Sequence, residues 1–511
     1  MGTSAPPGQR HLAVAAEQAY ERFGDRETLF FDGAWLRSGE LHDRSLRLAG
    51  GLARLGIRPG DRVAVTMPNS PAVGVCYTGL WRAGAAITPV IFILAEAELR
   101  HILADSGCVA VITSADLLPR VRAAAAGVET LRWIVSDGGG EGSVPLAELE
   151  AEAAGDVVPR ADGDLAALMY TGGTTGRAKG VMLSHANLWY AGHASHQATH
   201  TPGVTRGLLT LPLSHAFGLL VTVIGFHAVE PGVTALERWF DAARFVRLVE
   251  ELRVEQAPVV PSMLQMLLTL PLEEHDLSSL RILSSGASPL PAEVALEIER
   301  RIPSVEVREG YGCTESSSII SATRPGRRRL GSVGEPVPGL EVRLVDDAGA
   351  QVPDGDPGEI CVRSPGVMAG YWHASEATAA ALVDGWLHTG DIGRRDEDGY
   401  LFVVDRKKDL IIRGGFNVFP RDVEDALAEH PAVAFAGVVG RPDPRVGEEV
   451  VAFVSLRPGA RATAEELVDF GRERLGGYKY AREVRVVDQV PLTPVGKLDR
   501  KRLRAMVAKD D

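Results

Sequence analysis

The stretch "LRLAGGLARLGIRPGDRVAVTMPNSPAVGVCYTGLWRAGAAITPV" (Leu46–Val90) contains one full alternation of element types. It opens as an amphipathic helix, turns at a Pro-Gly pair and continues into the short apolar strand "RVAVTM". A second helix spans Ala72–Arg82, and "AAITPV" returns as a strand. Two strands joined through a helix run parallel, and a parallel sheet needs helices over its faces. Further strands read at 109–113, 167–171, 255–261 and 281–286, so the sequence predicts an α/β body of doubly wound sheets.

Past Gly331 the texture changes to short strands separated by frequent turns. "LEVRLVDDAGAQVPDGDPGEICVRSPGVMAGYW" places Asp-Asp-Ala-Gly, Pro-Asp-Gly and Asp-Pro-Gly at turn positions, which predicts a small β subdomain. A hairpin is expected at Glu397–Gly399 and a charged connector at Asp405–Asp409. The remainder reads as a βαβ-like α+β unit ending in a basic helix, so two domains are expected, 1–405 and 406–511.

Composition excludes several classes. The 511 residues are 45% hydrophobic and 24% charged, ordinary for a globular chain, with a formal net charge of -13. Residues 406–511 carry 20 basic and 17 acidic side chains, a net of +3, which leaves -16 on residues 1–405. An acidic body argues against nucleic acid as a partner. The longest apolar run, "AFGLLVTVIGF" (Ala216–Phe226), falls well short of the ~20 residues of a membrane span. No basic and apolar leader opens the chain, and Cys76, Cys108, Cys313 and Cys361 lie far apart without metal-type or disulfide-type spacing. A cytoplasmic monomer or homodimer with free thiols is expected.

Only seven of the 54 basic residues are lysine: Lys179, Lys407, Lys408, Lys479, Lys497, Lys501 and Lys509. A chain that writes arginine almost everywhere keeps lysine where a compact ammonium suits a phosphate better than a planar fork. Lys179 is the sole lysine before residue 407, and it lies in "MYTGGTTGRAKGVMLSH" (Met169–His185), which reads neither as helix nor as strand. Such a glycine-rich stretch is costly to order, and a bound anion can offset the cost. Glycines admit backbone N–H groups to phosphate oxygens, threonine hydroxyls donate, and lysine neutralises charge. It is not a Walker A loop, because Gly180 rather than Ser or Thr follows Lys179.

This stretch resembles the signature loop of the adenylate-forming superfamily, and "PLSHAFGL" (212–219), "SSGASPLP" (284–291), "EGYGCTES" (309–316), "GWLHTGDIG" (385–393), "DRKKDLIIRGGFNVFP" (405–420) and "PLTPVGKLDR" (491–500) resemble its other motifs in order. The wording is closest to the acyl-CoA synthetase branch. The resemblance implies ATP-dependent activation of a carboxylic acid to an acyl-AMP, with pyrophosphate released, then transfer to the thiol of coenzyme A. It also implies a small mobile C-terminal lid. Such chemistry requires positive charge where carboxylate meets triphosphate.

Carried over motif by motif, the resemblance implies that Thr171, Gly172, Gly173, Thr174, Thr175 and Gly176, with Lys179, hold the β- and γ-phosphates. Glu315 would bind Mg2+ and Thr314 the α-phosphate. Gly286, Ala287, Gly310 and Tyr311 would form the adenine slot, Tyr311 stacking on the base, with Ser288 and Gly312 in the same ATP/AMP site and Asp391 and Arg406 at the ribose. Lys497 would bridge acid and α-phosphate, and His215 would stand at the acyl or thiol entrance. Lys408 falls at the hinge, and Gly414, Gly415 and Phe416 at a pantetheine tunnel.

The acid is left open. Phe217, Leu220, Val221, Ser285, Gly312, Ser316, Ser317 and Ser318 are pocket candidates, and "VIFILAEAEL" (Val90–Leu99) is apolar where relatives are polar. No Phe-Asp stands near "SHAFG", which argues against an amino acid substrate. A free acyl carrier protein or an amine as acceptor, and nitrite as the oxyacid, are alternatives. A silent nucleotide-binding scaffold would have lost Lys497, Glu315 or Asp391, and all three are present.

Overall fold

In the computed structural model, which describes residues 9–171, 178–475, 477–493 and 497–508, the Leu46–Val90 alternation becomes helix Ser38–Arg54, strand Arg62–Thr66, helix Pro71–Arg82 and strand Ala86–Pro89. The two strands are parallel, with Val63 opposite Ile87. Pro71 starts its helix at the position where a missing N–H costs nothing. That helix is buried almost all round, from Val73 to Trp81, because it lies between layers.

Two large sheets form the body. One has eight strands, in the order Gly370–Tyr371, Lys179–Ser184, Leu165–Thr171, Ala86–Pro89, Arg62–Thr66, Ala110–Thr113, Trp133–Ser136 and Val144–Pro145. The other has nine, and its parallel centre runs through Glu306–Tyr311, Ile282–Ser285, Gln256–Val259, Arg206–Leu209 and Val233–Leu236. A third, antiparallel sheet of Glu341–Val345, Gly358–Arg363, Trp386–Arg395, Leu382–Val383 and Leu401–Arg406 is the expected β subdomain. The chain is therefore an α/β protein whose larger part carries two doubly wound units.

A fourth sheet belongs to the C-terminal residues. Strand Gly447–Leu456 is buried along nearly its whole length, because helices cover both faces: Val423, Leu427 and Leu467 pack on one side, Leu503 and Val507 on the other. These clusters draw only on residues 411–507, and the clusters of the body reach no further than Val403.

Two expectations change. Met169–His185 is strand at both ends, since Leu165–Thr171 and Lys179–Ser184 pair antiparallel with Thr171 opposite Lys179; β-rich "KGVMLS" wins over the loop signal of its glycine. The Asp405–Asp409 connector is structured, its first two residues completing strand Leu401–Arg406 and Lys407–Asp409 forming a 3-10 turn. The run Val90–Leu99 packs Phe92 and Leu94 against a satellite cluster with Leu99 and Ile102, leaving Ile93 exposed. Among the described residues no helix is long and apolar enough to cross a membrane, and all four cysteines are free.

Candidate active site

Ligands of open α/β sheets bind outside the carboxyl ends of the strands, and the motifs converge there. Strand Ile282–Ser285 delivers Gly286 and Ala287, and strand Glu306–Tyr311 delivers Gly310 and Tyr311. Their spacing is tight. A Cβ on Gly286 would lie 3.3 Å from Phe217 Cε1 and 3.4 Å from the Gly310 carbonyl, and one on Gly312 would lie 2.4 Å from the Ser318 backbone. Ala287, Ser317 and Ser318 hold positive φ at 70°, 55° and 71°, an uncommon conformation for residues with side chains and a mark of functional sites. Ser288 is half-buried beside Ala287.

Asp391 lies in strand Trp386–Arg395, opposite Arg406 in the neighbouring strand. The Tyr311 hydroxyl donates to Asp391 Oδ2 at 2.7 Å, and Arg406 Nε is 3.3 Å from Oδ1. Burial pushes the Asp391 carboxyl above the usual carboxylate range while Arg406 opposes the shift. Burial also raises the Tyr311 hydroxyl, which keeps it a donor.

A second carboxylate is organised by a residue that sequence reasoning missed. Glu315 sits in the 3-10 turn Thr314–Ser316, and Tyr371 donates its hydroxyl to Glu315 Oε1 at 2.8 Å. The Lys179 ammonium lies 5.2 Å from the centre of the same Tyr371 ring, a cation–π distance. Tyr371 reaches this position because its short strand pairs with Lys179–Ser184, Tyr371 opposite Val181. No local signal in "MAGYW" announces that pairing.

His215 precedes helix Ala216–Gly225 and caps it, its Nδ1 accepting the Phe217 N–H at 3.2 Å. That bond places the ring proton on Nε2. Burial, reinforced by the charge of Lys497, lowers the imidazole to about 3, so His215 is neutral. Lys497 comes from the C-terminal unit, where the Thr493 N–H donates to its carbonyl at 2.6 Å and its own N–H donates to Thr493 Oγ1 at 3.1 Å. Burial is the main cause that lowers its ammonium to about 8, Arg406 adding to the effect and Asp391, Cys313 and Glu315 opposing it. Residues far apart in sequence thus share one electrostatic neighbourhood.

Not every expected residue joins it. Gly172, Gly173, Thr174, Thr175 and Gly176 lie outside the described residues. Gly414 and Gly415 form the two-residue turn between strands Ile411–Arg413 and Phe416–Val418, with φ of 59° and 83°. Both values suit the hairpin turn that glycine pairs favour. Phe416 is 57% exposed and its ring packs on Tyr478 at 4.9 Å, so these three stand on an open hairpin. Lys408 lies at the centre of its 3-10 turn. Of the pocket candidates, Leu220, Ser285, Ser316 and Ser317 are buried; Ser317 Oγ donates to the Gly366 carbonyl at 2.7 Å, whereas Ser285 Oγ has no partner among the described residues. Cavities of about 610 Å³ beside Val486–Leu492 and about 240 Å³ beside Arg281 and Arg308 lie outside the cluster.

Glu315 and Asp391, each held by a tyrosine hydroxyl and both within the electrostatic neighbourhood of a lysine delivered from a second unit, stand where the adenylate-forming resemblance implies them. The chain belongs to the AMP-binding enzyme family, whose sequence profile matches residues 16–372, with the AMP-binding enzyme C-terminal domain matching 422–497. It is 40% identical over 473 residues to a feruloyl-CoA synthase of Amycolatopsis sp, covering 91% of this chain and 93% of the relative. It is 36% identical to the fatty acid–[acyl-carrier-protein] ligase ScoC of Streptomyces coeruleorubidus, covering 93% and 92%. Among solved structures the anthranilate CoA ligase AuaEII, in complex with anthranoyl-AMP, superposes with a TM-score of 0.91 at 26% identity, covering 97% of each chain. The protein is an ATP-dependent, AMP-forming acid–thiol ligase of the acyl-CoA synthetase kind.

Proposed function

We propose that the chain activates an aromatic carboxylic acid and passes it to coenzyme A. The observation that carries this is the 40% identity, over nearly the whole of both chains, to a feruloyl-CoA synthase. The lining candidates support it: Phe217, Leu220, Val221, Ser285 and Ser316–Ser318 carry no charge, which suits an acid with a single carboxylate and an apolar remainder. The unpartnered Ser285 hydroxyl is available to donate to that acid.

In the first step a carboxylate oxygen attacks the α-phosphorus of ATP, the bond to the bridging oxygen breaks, and pyrophosphate leaves. Asp391 accepts from the ribose hydroxyls, held by Tyr311 and Arg406. Lys179 faces the β- and γ-phosphates, Thr314 donates to the α-phosphate, and Lys497, cationic below its value near 8, offsets the charge that gathers as acid meets phosphate. Mg2+ would be held by Glu315; a lone hard carboxylate fits a cation that takes its remaining ligands from phosphates and water. Bound there, the ion neutralises triphosphate charge. In the second step the thiol gives up its proton to solvent, its sulfur attacks the acyl carbon, a C–S bond forms, and AMP leaves with the electron pair of the broken C–O bond.

Both steps need one cleft, so residues 406–511 act as a lid turning about Lys408 on the body of residues 1–405. Lys497 serves the first pose, and Gly414, Gly415 and Phe416 the second. The resemblance to ScoC favours a carrier protein as a second acceptor to be tested. The test is acid-dependent ATP–pyrophosphate exchange with hydroxycinnamic, benzoic, fatty and dicarboxylic acids and nitrite, then product assay with coenzyme A or a carrier protein. Exchange with aromatic acids is expected; exchange confined to another class would overturn the reading.

A further inference from the structure

We infer that Asp405 and Arg421 form a latch across the pivot, holding the C-terminal domain in the pose that seats Lys497; the inference rests on the two-pose reading above. The pivot itself is bracketed by ion pairs. On one side Lys407 Nζ lies 2.9 Å from Asp347 and 3.3 Å from Glu359, both in the body. On the other, the buried carboxylate of Asp409 pairs with Arg504 of the last helix. Lys407 is thus paired to the body and Asp409 to the C-terminal unit, with Lys408 between them.

Asp405 lies before that point, at the end of strand Leu401–Arg406, and Arg421 after it, as the second residue of helix Pro420–Ala428. The helix has no side-chain cap from Phe419. Asp405 supplies one from the other side of the pivot, its Oδ2 accepting the Arg421 N–H at 2.9 Å, where a carboxylate also meets the positive end of the helix. The Arg421 guanidinium returns the contact, Nη1 donating to the Val403 carbonyl at 2.7 Å. Its Nε is 3.4 Å from Asp425, and its charge acts on the half-buried Glu309 of the body. Arg500 and Asp409 are the other charges that face Asp405.

Both hydrogen bonds must break if the domain turns. Among the described residues the hydrophobic clusters of lid and body share no member, so directional polar contacts weigh heavily in setting the pose. Arg421 and Asp405 are thus positioning residues for Lys497.

Arg421→Ala keeps the backbone cap and removes the guanidinium. In the full-length enzyme we expect acid-dependent ATP–pyrophosphate exchange to fall about ten-fold while transfer of a supplied acyl-adenylate to coenzyme A stays the same or rises. Equal loss in both half-reactions, or unchanged exchange, would overturn the latch. A readout independent of turnover is the distance between spin labels at Glu376→Cys in the body and Glu465→Cys in the lid. One narrow distribution that broadens with Arg421→Ala is expected, and an unchanged distribution refutes the inference even if the parent enzyme activates none of the acids tried.

Discussion

The Tyr311 hydroxyl donates to Asp391 Oδ2 at 2.7 Å while Arg406 holds the other oxygen of the same carboxylate. A buried carboxylate set from both sides is pre-organised, and in the proposed ribose-binding role it need not reorient when ATP binds. Tyr311→Phe removes one hydrogen bond to a charged group, worth about 1.5–3 kcal/mol. The expected outcome is a KM for ATP raised by roughly ten-fold or more, with a smaller change in kcat, read from initial rates at saturating acid.

Lys497→Ala should cripple formation of the adenylate and spare thiolation of a supplied acyl-AMP. Equal loss in the two steps would refute the assignment of separate poses. The depressed ammonium adds a pH signature. Because burial lowers it to about 8, the cation is lost as pH rises through that value, and kcat/KM for exchange should fall above pH 8. Lys497→Arg stays charged throughout that range and should lack the falling limb, whatever its absolute rate.

Gly415→Trp should act in the opposite sense. Among the described residues nothing lies within 4 Å of a Cβ built there, so bulk is accommodated in the present pose, but φ is 83°. Exchange should be retained at a cost of about 1–2 kcal/mol in lid stability, and coenzyme A ester formation should collapse. Normal ester formation would remove Gly415 from the thiol path.

Glu309 is half-buried, Arg421, Arg328 and Asp425 are the charges that act on it, and burial raises its carboxyl to about 7. Below the ordinary carboxylate value both folded and unfolded chains hold the proton, and the side chain costs nothing. Between that value and 7 the unfolded chain ionises first, so stability falls as pH rises, and above 7 the full cost remains. Glu309→Gln should raise Tm at pH 8, by a stability gain on the order of 2 kcal/mol, and leave it unchanged near pH 4. A gain of equal size at both values would assign the effect to packing.

Much of this was legible in the chain. Leu46–Val90 determined a parallel βαβ unit because period and punctuation are local properties of sequence, and strands at 109–113, 167–171 and 281–286 followed by the same logic. The scarcity of lysine singled out Lys179, and the motif "PLTPVGKLDR" singled out Lys497. What sequence could not supply was adjacency. Tyr371 reaches Glu315 and Lys179 only because a two-residue strand joins the edge of the eight-stranded sheet, and Asp405 caps a helix beyond the pivot only because strand Leu401–Arg406 ends beside it. The same holds for the values near 3 at His215 and near 8 at Lys497. Residue type and spacing are written along the chain, whereas burial and the fields of distant charges exist only once the sheets have closed around the cleft.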